Sequence, residues 1–267
     1  MWTTFGLIAA LSLAPGQTSG GLNLTNIRST YGLLGAPRSD SKLLPGDAYF
    51  VAFDIEGVKT SDTGEVSYSM GMELADSNKK VWYKQEPQQL KALNSLGGNR
   101  LPAFAHVKIG IDQPPGRYTL TVNVTDLAAK ASKSFSREFE VLPPAFGLVR
   151  VNLTSGPQGP PAPFIELAGQ SVWVNFSAVG FGVSAKKAPD LSVEMVVLDE
   201  NNKPTLPKPM IGAAKQKEEI YEGTAVPMQF YLALNRPGSF TVKLKATDNL
   251  SKKTSEVTFP IKVIEAK

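Results

Sequence analysis

Hydrophobic side chains recur at every second position in many short runs of this chain and at helical spacing in very few. Between residues 49 and 55, Tyr49, Val51, Phe53 and Ile55 alternate with Phe50, Ala52 and Asp54. Successive side chains of an extended strand point to opposite faces, so this run predicts a half-buried strand with the first set inward. The same pattern returns 123 residues later, where Val172, Val174, Phe176 and Ala178 take the inward positions. Other segments repeat in the same order: Val66–Leu74 with Ser192–Leu198, and Val107, Ile109 and Ile111 with Phe230, Leu232 and Leu234. Tyr118, Leu120, Val122 and Val124 then match Phe240, Val242, Leu244 and Ala246, and Phe135, Phe139 and Val141 match Val257, Ile261 and Val263. A repeat that persists over so many segments is a duplicated domain, not a duplicated hairpin.

Turn signals punctuate both copies. Pro115-Gly116 and Pro237-Gly238 precede equivalent strands, and Thr125-Asp126 and Thr247-Asp248 end them, with each aspartate expected to cap its turn through its own carboxylate. Asp76–Lys79 aligns with Glu200–Lys203 as tight hairpin turns. After a short strand over Val81–Gln85 the alternation loosens. The run QQLKALNSLGG, with Leu90, Leu93 and Leu96 on one side, predicts a turn or two of helix stopped by Gly97-Gly98, and 211–223 reads as its polar, irregular counterpart. Pro143-Pro144-Ala145 forms a stiff link, which places one domain at 21–142 and the other at 146–267.

Many short alternating strands, frequent turns and little helix are the pattern of a β-sandwich. Gly116–Asp126 and Gly238–Asp248 resemble the penultimate strand of immunoglobulin-like, fibronectin-type and cadherin-like modules. The fold class expected is therefore all-β: two tandem immunoglobulin-like antiparallel β-sandwiches. The resemblance also implies a tyrosine corner, in which the Tyr118 hydroxyl bonds back to the loop before it. Phe240 stands at the same place in the second copy and has no hydroxyl, so that corner must close by packing.

Composition narrows the function. A chain of 267 residues with 42% hydrophobic content suits two domains, each with its own core. An apolar run from Phe5 to Ala14, followed by Pro15 and Thr18-Ser19-Gly20, reads as a secretory signal over residues 1–20. It is shorter than the roughly 20 residues that span a bilayer. The protein is thus expected to be secreted, periplasmic or at the cell surface, and not membrane-spanning once the signal is removed. The formal charge of +4 is spread over scattered lysines without a basic stripe, which argues against a nucleic-acid partner.

Zero cysteines remove disulfides, thiolate metal sites and cysteine nucleophiles. His106 is the single histidine, is expected to face solvent, and has no partner for a zinc site. The run Asp199–Pro204 resembles the Asp/Asn-rich calcium linker of cadherin repeats, yet it lies inside a domain and the actual link holds no carboxylate. Gly-rich phosphate loops and a nucleophile elbow are absent. No cofactor, metal or catalytic residue is expected.

Surface aromatics remain. Phe50 and Trp173 fall on the same outward position of the two copies, and Trp82-Tyr83 has no counterpart in the second. An aromatic on a flat sheet is a docking point for a protein or a platform for a sugar. The function expected is an exported, non-catalytic binding or structural module working through protein contacts. The alternatives are a carbohydrate-binding module that uses these aromatics, and an enzyme with a carboxylate site lining a cleft between the domains.

Overall fold

The computed structural model describes residues 21–215 and 225–265, and these are strands joined by loops. The signal-like segment 1–20 lies outside them. In the first repeat, β1 (Asn23–Thr30), β3 (Ala48–Glu56) and β6 (Arg100–Lys108) form a sheet in the order β1-β3-β6. The facing sheet contains β2 (Lys42–Leu43), β4 (Glu65–Asp76), β5 (Val81–Leu93), β7 (Gly116–Asp126) and β8 (Ala131–Val141), in the order β2-β8-β7-β4-β5.

The second repeat reproduces this strand for strand. There β9 (Gly147–Thr154), β11 (Ser171–Val179) and β14 (Val226–Ala233) face β10 (Ile165–Leu167), β12 (Asp190–Leu198), β13 (Met210–Lys215), β15 (Gly238–Asp248) and β16 (Thr254–Ile264). All pairs are antiparallel except the short β2 on β8 and β10 on β16, which are parallel. The molecule is two tandem immunoglobulin-like sandwiches. No helix among the described residues is long and apolar enough to cross a membrane.

Inward alternation builds a core in each repeat. Tyr49, Val51, Phe53 and Ile55 in the first, and Val172, Val174, Phe176 and Ala178 in the second, are buried against the facing strands. Each of the larger side chains contributes about 1.5–3 kcal/mol by leaving water. The two cores are filled differently. Tyr49, Phe139, Tyr118 and Trp82 form a connected row of rings in the first, with successive centroids 4.6, 5.8 and 6.2 Å apart. Strand pairing gives the counterparts of the first three in the second repeat as Val172, Ile261 and Phe240, and counting from the equivalent turn aspartates Asp76 and Asp199 puts Thr205 where Trp82 stands.

Two local expectations are corrected. The residues read as helix, with Leu90 and Leu93 among them, instead extend β5 to Leu93, because the 12-residue β4 offers a hydrogen-bonding partner along its length. Pro87 has no N–H and is accommodated at a bulge, where the register shifts between Met70 and Met72. Gly71 makes room for it: a Cβ there would stand 3.0 Å from the Gln85 carbonyl oxygen and the Pro87 nitrogen. In the second repeat, the start of the region read as irregular, from Ile211, belongs to the edge strand β13, and 216–224 lies outside the described residues.

Two alignments also move. Val107 opposes Tyr49 and Leu232 opposes Val172, so Val107 answers Leu232 and not Phe230. A two-residue slip preserves the inward face, which is why the alternation did not reveal it. Asp76 and Asp199 cap equivalent turns, each taking two backbone N–H groups on Oδ1, so the turn partner of Asp76 is Asp199 and not Glu200.

The sandwiches meet through the loop after β1 and the start of β9. Tyr31 and Ala36 pack into the core of the second repeat, and the Tyr31 and Phe259 rings stand 5.9 Å apart. Asp47 is the polar centre of this junction. Its Oδ1 accepts the backbone N–H groups of Ala48 and Arg150, and its Oδ2 accepts Arg38, each at 2.8 Å. Arg150 sits in the left-handed region at φ 55°, on a bulge of β9, and its Nε donates to the Gly46 carbonyl at 2.7 Å. Burial opposes the charge on Arg38, but Asp47 and then Asp40 outweigh it and raise the guanidinium pKa. At Gly147 a Cβ would stand 2.2 Å from Leu44, so the contact is built on a bare backbone.

Candidate functional site

The structure separates the four aromatics singled out from the sequence. Phe50 lies on the outer face of β3 and stacks on His106 of β6, with centroids 5.2 Å apart and planes 12° from parallel. Phe104, more exposed than the half-buried Phe50 and His106, continues the row 6.3 Å from His106. These three rings line a groove of about 570 Å³ at the junction of the two sandwiches, together with Arg38, Asp47, Lys108 and Arg150. Phe104 follows from the same alternation as Phe50 and His106, yet the sequence analysis did not select it. Only strand pairing places β6 beside β3 and so brings the three rings together.

Asp47 is the one carboxylate lining the groove, and both of its oxygens accept hydrogen bonds. Trp173 takes the position equivalent to Phe50, half-buried, with its ring edge-on to Tyr231 at 5.6 Å.

Trp82 and Tyr83 lie elsewhere, on the free edge strand β5. The register shifts at Leu74/Ala75, and this bulge lets two consecutive side chains line one cleft. That cleft, about 420 Å³, opens on the side of the first sandwich between β5 and β6, and Gln85, Lys108 and Gln113 complete its polar wall. The Gln113 Nε2 is buried without a hydrogen-bond partner. The Trp82 indole N–H donates to Asp76 Oδ2 at 3.0 Å, which is the main cause of a carboxyl pKa below the ordinary aspartate value. The Lys80 ammonium lies over the same indole, 4.2 Å from its centre.

The conserved-looking Thr-Asp endings are structural. Asp126 takes Ala128 and Ala129 N–H groups on Oδ1 and Lys59 N–H on Oδ2. Asp248 takes Leu250 and Ser251 N–H groups on Oδ1, and Gly182 N–H with the Ser251 hydroxyl on Oδ2. Each ties the last turn of one sheet to a loop of the other. Among the described residues no group of three or more histidine, cysteine or acidic side chains is arranged to hold a metal ion.

The corners differ as the sequence analysis expects. Tyr118 donates its hydroxyl to the Pro114 carbonyl at 2.8 Å, completing a tyrosine corner. At the matching place in the second repeat the Arg236 guanidinium lies over the Phe240 ring, 4.8 Å from its centre.

No known protein family and no curated protein sequence matches the chain. Among solved structures it is similar to the C-terminal domain of the antigen I/II polypeptide BspA of Streptococcus agalactiae. The identity is 10%, the match covers 90% of this chain and 100% of that one, and the TM-score is 0.31. It is also similar to a family 123 glycoside hydrolase of Clostridium perfringens, at 13% identity and TM-score 0.32, covering 46% of this chain and 27% of the hydrolase. A red sea bream transglutaminase matches at 7% identity and TM-score 0.28, over 92% of this chain and 31% of that one. The chain thus spans less than a third of either enzyme. Scores of this size carry no argument about activity or partner, and the fold stands on the strand pairing itself.

Proposed function

We propose that this is an exported, non-catalytic binding module of the cell envelope or exterior, working through protein contacts at the groove between its two sandwiches. The observation that carries the reading is the row Phe50–His106–Phe104, held on paired strands beside the Asp47 junction. Aromatic rings fixed by their backbone lose little freedom on binding and are the commonest anchors of protein interfaces. The cations Lys108 and Arg150 at the same groove favour an acidic rim on the partner. Export is supported by the apolar run Phe5–Ala14, and a non-catalytic role by the engagement of Asp47.

The test is site-directed photo-crosslinking on intact cells of the source organism, with the crosslinker at position 104 or at the exposed Lys245 on the opposite sheet of the second repeat. A discrete adduct from position 104 and none from 245 is expected. Equal labelling from both positions, or from neither, would remove the groove as the binding face.

A second reading is favoured by one observation, the unpaired Gln113 amide inside the Trp82–Tyr83 cleft. An indole, a phenol ring and amide donors around a cleft suit a sugar ring, whose apolar face stacks while its hydroxyls bond. Tryptophan fluorescence titrated with a panel of neutral oligosaccharides tests it. A saturable change that Trp82→Ala abolishes supports the cleft, and no response across the panel eliminates it.

A further inference from the structure

Both sandwiches are open on the same side, between the outer strand of the larger sheet and the outer strand of the smaller one. In the first repeat the opening is the cleft of Trp82 and Tyr83, with Gln85, Lys108 and Gln113 in its wall. In the second it is more apolar: a cavity of about 360 Å³ whose walls include Leu232 of the small sheet, Leu234 just after it, and Met210, Phe240, Ile261 and Val263 of the large sheet. It reaches as far as β16, because the ring of Phe139 is replaced by Ile261 and the bulged Trp82 by the small, exposed Thr205.

Of the side chains lining the cavity, one is charged. Arg236 is the only ionisable cation among the lining residues, no acid lines the cavity, and Arg236 makes no ion pair among the described residues. Stacking on Phe240 holds its guanidinium at the rim. Asp199 and Glu200 stand on the neighbouring turn, close enough to Arg236 and Gly238 to keep the rim from attracting a polyanion. Tyr231 and Leu206, each 51% exposed, flank the opening.

We infer that this cavity is a binding site for a small amphipathic monoanion, a medium-length aliphatic or aryl carboxylate, with its tail between the sheets and its head group on Arg236. The physical case has three parts. A recess lined by Leu, Ile, Val and Phe is poorly wetted, so an apolar tail recovers contacts the walls otherwise lack. Its volume falls at the small end of the range of small-molecule sites, about 300–1,000 Å³. A single guanidinium at an apolar mouth pairs with a carboxylate in a bidentate manner and gives no such bond to an alcohol of the same length. Protein docking at the groove between the sandwiches does not depend on this site, and this site does not depend on that docking.

Octanoate, 1-octanol and acetate are the probes, titrated into the mature chain by calorimetry, with methyl NMR shifts of Leu232, Leu234 and Ile261 reporting location. Octanoate is expected to bind saturably and shift those methyls, and acetate to do neither. Arg236→Gln is expected to weaken octanoate about five- to tenfold while leaving octanol unchanged. Two variants carry the first repeat's residues into the second: Ile261→Phe fills the cavity floor, and Thr205→Trp, on the surface and safe for folding, covers its mouth. Each is expected to abolish binding. The inference is overturned if octanoate does not bind, if binding persists in Thr205→Trp, or if Arg236→Gln affects octanoate and octanol alike.

Discussion

The two sandwiches share their base and differ at their open side. At the base, Asp126 and Asp248 do the same work, each gathering backbone donors from its own turn and from a loop of the opposite sheet. At the open side, the first repeat fills its interior with the rings of Tyr49, Phe139 and Tyr118 and caps them with Trp82 at the edge, while the second leaves an apolar recess around Phe240 and Ile261. Duplication preserved what the fold needs, and the copies diverged where the sandwich meets its surroundings. Differences confined to the open side are what ligand binding requires of a scaffold that must stay folded.

The largest expected effect tests the shared half of this comparison. Asp126→Ala and Asp248→Ala each remove a buried carboxylate that accepts several backbone N–H bonds, and each is expected to lower the stability of its own repeat by about 3–5 kcal/mol. Urea unfolding followed by NMR signals from each repeat measures this, and a loss in one repeat only would show that the two bases are not equivalent. The second repeat should also be acid-sensitive. Burial raises the Asp248 carboxyl pKa, but the Ser251 hydroxyl and the backbone donors more than reverse this, so its folded pKa is depressed. Its contribution is therefore present above the unfolded value near 3.9 and lost as pH falls through the lower folded value. In Asp248→Asn, stability of the second repeat should change less between pH 5 and pH 2 than in the native chain.

The next effect is smaller and tests the part that differs. Tyr118→Phe leaves the Pro114 carbonyl without its hydroxyl partner and is expected to cost about 1–1.5 kcal/mol in the first repeat. Phe240→Tyr in the second has no such place prepared, since Arg236 already covers the ring, and its effect should stay within about 0.5 kcal/mol. If Phe240→Tyr stabilised the second repeat as much as Tyr118→Phe weakens the first, the corners would be interchangeable.

How much of this was legible in the sequence follows from what each feature depends on. Period-two alternation made the strands and the inward residues readable, because the buried side must be apolar whichever strand pairs with which. The corner was readable because Tyr118 and Phe240 differ by one hydroxyl at a matched position. The β5 extension was hidden, since three spaced leucines suggest a turn of helix; only the partner strand and the gap at Gly71 make room for it. The slip between Val107 and Leu232 was hidden because a shift of two leaves the face unchanged. Of the candidate surface residues, each was visible as an outward aromatic, but their grouping was not. Phe50 joins His106 and Phe104 only across strands, and a bulge is needed to put Trp82 and Tyr83 on one cleft.

The smallest expected effect bears on Arg236, because it separates packing from ligand binding at the divergent side. Its guanidinium lies 4.8 Å from the Phe240 ring centre at the rim of the recess. A partly exposed cation–π contact contributes about 0.5–1 kcal/mol, so Arg236→Ala should lower the stability of the second repeat by no more than that. Lysine keeps the charge and loses the planar stack and the fork of donors, so Arg236→Lys should recover part of the stability without restoring discrimination between octanoate and octanol. Thermal unfolding of both variants, compared with Tyr118→Phe in the first repeat, checks the first half, and the carboxylate-to-alcohol affinity ratio checks the second. A loss well above 1 kcal/mol in Arg236→Ala would mean that the arginine is the corner's structural closure, equivalent to the Tyr118 hydroxyl, and the two open sides would then differ in shape alone.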